Sequence, residues 1–116
     1  MIHDITSHIN YRGREIGLVF NLNVMEDLQT KYGTIEAWQE KCYGGDKEID
    51  IAALKYGFML MMNEQLDIEN EEQGKNDEPF TLRQVGRILT EIGLQNVAEV
   101  IGDAIVKSTE STEKNG

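Results

Sequence analysis

The sequence predicts an α+β fold that is mainly α, with an N-terminal β-hairpin packed on a bundle of four to five short helices. Three observations carry this prediction. Apolar residues recur at period two up to Phe20, the period lengthens to about 3.6 from Asn21 onward, and glycines and capping residues then fall where helices of ordinary length would begin and end. The 116 residues suffice for one domain, placed at 1–108, and leave 109–116, which carries no apolar residue, as a flexible tail.

The hairpin is expected within 1–20. Ile9 and Tyr11, then Ile16, Leu18 and Phe20, alternate with polar or small residues, and Arg12-Gly13-Arg14 separates the two runs. Gly13 suits the turn because positive φ costs glycine nothing. Helices are expected over 21–66 and 81–107. Leu22, Met25, Leu28 and Tyr32 fit one face of a first helix, which Gly33 ends. Thr34 opens a second, with Ile35, Trp38 and Cys42 on its apolar side, and Gly44-Gly45 breaks it. Asp50 is a natural N-cap for a third, expected to end near Leu66. The segment 67–79 holds six acidic residues against one lysine and reads as a mobile, solvated loop. Thr81 and Gln84 match a capping box for a fourth helix bearing Leu82, Val85, Leu89 and Ile92, closed by Gly93. Leu94, Val97, Ile101, Ala104 and Ile105 continue the pattern in a fifth.

Composition narrows the function classes. With 11 Lys+Arg against 21 Asp+Glu the chain carries a formal charge of -10, which opposes nucleic-acid binding through phosphates. The longest apolar run, 57–62, is far below the roughly 20 residues of a membrane span, and the N-terminus lacks the apolar core of a signal peptide. One cysteine, Cys42, cannot form an internal disulfide. A cytoplasmic protein with no membrane partner is expected.

No residue pattern supports catalysis or a cofactor. His3 and His8 are the only histidines, no serine sits in a nucleophile elbow, and Cys42 reads as a half-buried cysteine at a helix end. Two histidines and one cysteine at these spacings match no zinc site. Asp67, Glu69, Glu71 and Glu78 occupy the first, third, fifth and twelfth positions of a calcium-loop frame, but Glu72 stands where that loop needs glycine. Gly44-Gly45-Asp46-Lys47 lacks a phosphate-loop frame and reads as a linker. Neither enzyme, nor cofactor, nor metal site is therefore expected.

What remains is an apolar excess on the third helix. Ile51, Leu54, Phe58, Met61, Met62 and Leu66 make one stripe, yet Tyr56, Met59 and Leu60 widen it past a single face. Methionine is unbranched and polarizable, so methionine-rich surfaces adapt to varied apolar partners. Tyr56, Phe58, Met59, Met61 and Met62 are thus the candidate partner-binding residues, unless they fill the core, and Arg12 and Arg14 at the hairpin tip form a second candidate surface.

The run Asn10-Tyr11-Arg12-Gly13-Arg14-Glu15, the alternation to Phe20, the amphipathic helix to Tyr32, the Lys31-Tyr32-Gly33-Thr34 junction and Trp38 resemble the start of tail assembly chaperones from long-tailed bacteriophages and prophages of Gram-positive bacteria. Phe80-Thr81-Leu82 and the closing helix to Ser108 fit the same outline, so the resemblance spans about 5–108. It implies a small, acidic, non-enzymatic protein of the bacterial cytoplasm that binds the tape-measure protein while the tail tube polymerises and is absent from the mature virion. It also implies that a longer, frameshifted form is often made. Self-association, another tail protein as partner, a small protein-binding adaptor and a minor structural tail protein remain open alternatives.

Overall fold

A computed structural model describes residues 7–43 and 48–115, with side chains as far as Ser108. His3 and the 44–47 linker lie outside the described residues, as do the side chains of the expected tail. The architecture is α+β and mainly α. In chain order the elements are β1 (Ser7–Tyr11), β2 (Arg14–Leu18), α1 (Leu22–Tyr32), α2 (Ile35–Tyr43), α3 (Ile51–Gln73), α4 (Leu82–Ile92) and α5 (Leu94–Asn115).

The strands pair antiparallel with Ile9 opposite Ile16 and Tyr11 opposite Arg14. The two residues between them, Arg12 and Gly13, both have positive φ, 52° and 82°, the geometry that matches a tight hairpin to the twist of its strands. Asn10 accepts a hydrogen bond from the Gly13 N–H at 3.1 Å. The buried hairpin residues Ile9, Ile16, Leu18 and Phe20 join the helical core, and β2 lies along α3, where the Val19 N–H points at the Met61 carbonyl at 3.4 Å. Ser7 on β1 donates to Asp103 on α5 at 2.7 Å.

Four of the five helices start on a side-chain cap. Asn21 accepts from Val24 N, Thr34 from Ala37 N and Asp50 from Ala53 N, each satisfying an amide that has no partner within its helix. Thr81 and Gln84 form the full reciprocal box. The side-chain faces are less simple. Leu22 is 79% exposed, because it lies about 120° round the helix from the buried Leu28, whereas Val24 shares Leu28's face. Leu82 and Leu94 are also exposed, leaving Val85, Ile88 and Leu89 to bury α4, and Val97, Ile101 and Ala104 to bury α5.

Two boundaries differ from the sequence expectation. The acidic loop expected at 67–79 is helical as far as Gln73, and the helix ends at Gly74 in the left-handed conformation. Glutamate and glutamine are good helix formers, so charge alone was no reason to end α3 at Leu66. The remaining turn-back is tied to α3. Asn63 accepts from Phe80 N at 2.7 Å and donates to its carbonyl at 3.0 Å, and Asn70 makes the same pair with Asp77 at 3.2 and 3.0 Å. At the other end, the α5 backbone stays helical to Asn115, through most of the segment expected to be a tail.

α2 packs closely against α3 at Trp38. Trp38 is fully buried and donates its indole N–H to the Ala53 carbonyl at 2.9 Å. A Cβ at Gly57 would stand 2.2 Å from the Trp38 ring, so only glycine permits this approach. The helix-propensity cost of glycine, about 1 kcal/mol, is offset by burial of the whole indole.

Candidate functional site

The apolar excess of α3 is largely consumed by the core. Phe58, Met61 and Met62 are fully buried, since the hairpin packs on the side of α3 that the other helices leave open. They therefore form no surface in the folded chain, and the five-residue site drawn from sequence is reduced to Tyr56 and Met59, both partly exposed. Tyr56 faces α1, with the Tyr32 ring edge-on at 6.1 Å and the Lys31 ammonium 4.4 Å from its centroid. Met59 follows Lys55 by one helical turn.

A groove of about 860 Å³ lies beside Lys55, between the first turns of α3 and the whole length of α4. Ile51, Leu54, Leu89 and Leu94 supply apolar atoms, and Ile51 and Leu94 remain about half exposed, at 49% and 50%. Lys55, Arg83 and Arg87 line the walls, and Arg12 reaches in from the hairpin tip. Gly86 keeps the middle of α4 low. A Cβ there would come within 3.2 Å of the Lys55 side chain, whose stem lies across the helix at this point.

Arg12 is positioned by a 3.0 Å hydrogen-bonded ion pair with Glu91. That bond and the Glu91 charge raise its pKa further, so it carries a permanent charge. Both partners are solvated, and the pair orients Arg12 more than it stabilises the fold. Adjoining the groove, with Arg87 in common, a cleft of about 230 Å³ is lined by Tyr11, Arg14, Phe80 and Arg87, with the Arg14 guanidinium 5.0 Å from the Phe80 centroid. Arg12 and Arg14 are both exposed but line different concavities, each shared with cations of α4 that sequence reasoning did not single out. The Arg83 and Arg87 spacing of four was visible in the sequence. Their meeting with Lys55 and Arg12 depends on how α3, α4 and the hairpin pack.

The far end of α3 has the opposite character. A cleft of about 310 Å³ lies between α1, α3 and the turn-back, lined by Asp27, Glu64, Asp67 and Asp77 with Asn23, Asn63 and Asn70. Asn21 and Asn23 both donate to Glu64, at 2.7 and 2.8 Å. Among the described residues no three acids, histidines or cysteines are grouped to hold a metal ion. Cys42 is buried, and its thiol is pushed up to about 12 by burial and then by the Asp50 charge, so it is a neutral thiol at physiological pH. His8 is exposed on β1. No helix among the described residues is long and apolar enough to cross a membrane.

No family model, curated protein or solved structure matches this chain. The groove combines an apolar floor with cations on its walls.

Proposed function

We propose that this chain is a tail assembly chaperone of a long-tailed phage or prophage, a non-enzymatic protein that holds a helical stretch of the tape-measure protein while the tail tube grows around it. The observation that carries the reading is the open groove beside α4. α4 has eleven residues, about 16 Å of helix, so the groove beside it is about three turns long. An amphipathic helix laid into such a groove covers apolar atoms that Ile51 and Leu94 otherwise leave in water. The segments that resemble the family converge here in part: Arg12, at the tip of the Asn10 to Glu15 hairpin, is one of the residues lining the groove. The acidic body supports the same role, because mutual repulsion keeps many copies apart while they coat a long client. In this reading the protein works in the host cytoplasm and leaves before the particle matures.

Gene neighbourhood and co-expression test the proposal: a tape-measure gene should lie beside this one, and its product should be captured. The expected result is a soluble complex that survives purification, with the chain missing from finished tails. A tape-measure protein that stays insoluble and uncaptured would remove the chaperone reading. Recovery of the chain in finished tails would make it a structural subunit instead.

A further inference from the structure

All four arginines of the chain, Arg12, Arg14, Arg83 and Arg87, line the two concavities flanking α4, in a protein where acids outnumber cations 21 to 11. Arg12 is matched by Glu91, whereas Lys55, Arg83 and Arg87 have no ion-pair partner among the described residues. Three uncompensated cations thus stand around a floor whose half-exposed members are Ile51 and Leu94. Resting on the reading of the chain as a helix-binding protein, we propose that the groove selects an acidic amphipathic helix of about three turns, apolar along one ridge and carrying aspartate or glutamate on the flanks.

Charge complementarity decides among occupants. A phosphate backbone would meet the cations but leave the apolar floor uncovered, and the body's charge of -10 opposes a polyanion at every other point. A second copy offers an acid-rich helical end, residues 67–73, but that stretch has Ile68 as its single apolar residue, itself partly buried, and so lacks a ridge for the floor. An independent helix with both features meets both requirements. The preference is also the opposite of what net charge dictates. An acidic protein attracts basic peptides at long range, so selection of acidic flanks can only come from the local field of Lys55, Arg83 and Arg87.

The test uses three labelled helical peptides of roughly 18 residues sharing one leucine ridge, with flanks of glutamate, glutamine or lysine, titrated with the full-length protein by fluorescence anisotropy. The expected order is glutamate, then glutamine, then lysine, with about tenfold between the extremes. Arg83→Glu with Arg87→Glu should invert that order. Gly86→Leu, which fills the groove without changing charge, should weaken all three, and unfolding curves check that both variants remain folded. No binding by any peptide, or binding of the lysine form as tight as the glutamate form, would overturn the proposal. So would displacement of the glutamate peptide by single-stranded DNA, or self-association that Gly86→Leu abolishes. Co-purification with the tape-measure protein separates the two levels. Retention by both variants would put the client elsewhere and leave the chaperone reading standing, whereas the expected peptide order without tape-measure capture would leave the site and remove the client.

Discussion

The two ends of α3 invite comparison. Its first turns wall a groove with arginines, a lysine and uncovered apolar side chains. Its last turns and the turn-back hold Glu64, Asp67, Glu69, Glu71, Glu72, Asp77 and Glu78. At the acidic end the returning chain is pinned by Asn63 and Asn70, and Phe80 is drawn into the core. At the cationic end nothing of the chain crosses the floor among the described residues, and Ile51 and Leu94 stay half exposed. One helix thus has a finished end and an unfinished one. A net charge of -10 conceals this, since the excess acid is segregated from the place where a partner would sit.

The comparison depends on α3 being one rigid rod, and Gly57 tests that most severely. Gly57→Ala would ordinarily improve a helix, but here the new methyl meets the Trp38 ring. The expected outcome in urea unfolding is a loss of about 2–4 kcal/mol. Unchanged or higher stability would show that α2 and α3 do not approach as described.

At the finished end, Asn63→Ala removes both hydrogen bonds to Phe80. The expected cost is about 1–3 kcal/mol, with faster hydrogen exchange at the Phe80 amide and no change in the α4 amides near the groove. Equal acceleration at both ends would mean that the two regions unfold together.

Charge reversal sharpens the contrast. Arg83→Glu with Arg87→Glu on one side, and Glu71→Lys with Glu72→Lys on the other, alter solvated residues, so each pair should move stability by less than about 1 kcal/mol. Binding should fall for the groove pair only.

The smallest effect concerns pH. The Cys42 thiol is held neutral in the folded chain to about 12, against an ordinary value of 9.0. The folded state therefore retains a proton that the unfolded state releases, and the thiol's contribution is intact below about pH 9 and lost as pH rises from there toward 12. Tyr32 and Tyr43, both raised by burial, add in the same direction. Stability curves of the wild type and Cys42→Ala should run parallel below pH 9 and converge above it.

Local signals in the sequence carried most of the fold. The Thr81 and Gln84 box, the Asp50 cap, the Gly13 turn and the Gly33 and Gly93 stops depend on neighbours within a few residues, and each is found where it was expected. Failures came where distant segments decide. The apolar width of α3 pointed to a partner, yet Phe58, Met61 and Met62 are buried where the N-terminal hairpin packs on α3, far along the sequence from it. The acids of 67–73 suggested a loop because their charge was weighed above their helix propensity. Of the groove, Arg12 was visible, and Arg14 lines the adjoining cleft. Lys55, Gly86, Arg83 and Arg87 become a groove only when α4 folds back along α3, a contact that no short-range pattern encodes.

Photo-crosslinking tests the difference between the two ends most directly. A benzoylphenylalanine replaces Thr90 in the groove or Glu71 at the acidic end, and the protein is co-expressed with the proposed client, a tape-measure protein, and irradiated. A crosslink is expected from position 90, suppressed by Arg83→Glu with Arg87→Glu, and none from position 71. Crosslinking from 71 alone, or equal yield from both, would contradict that difference.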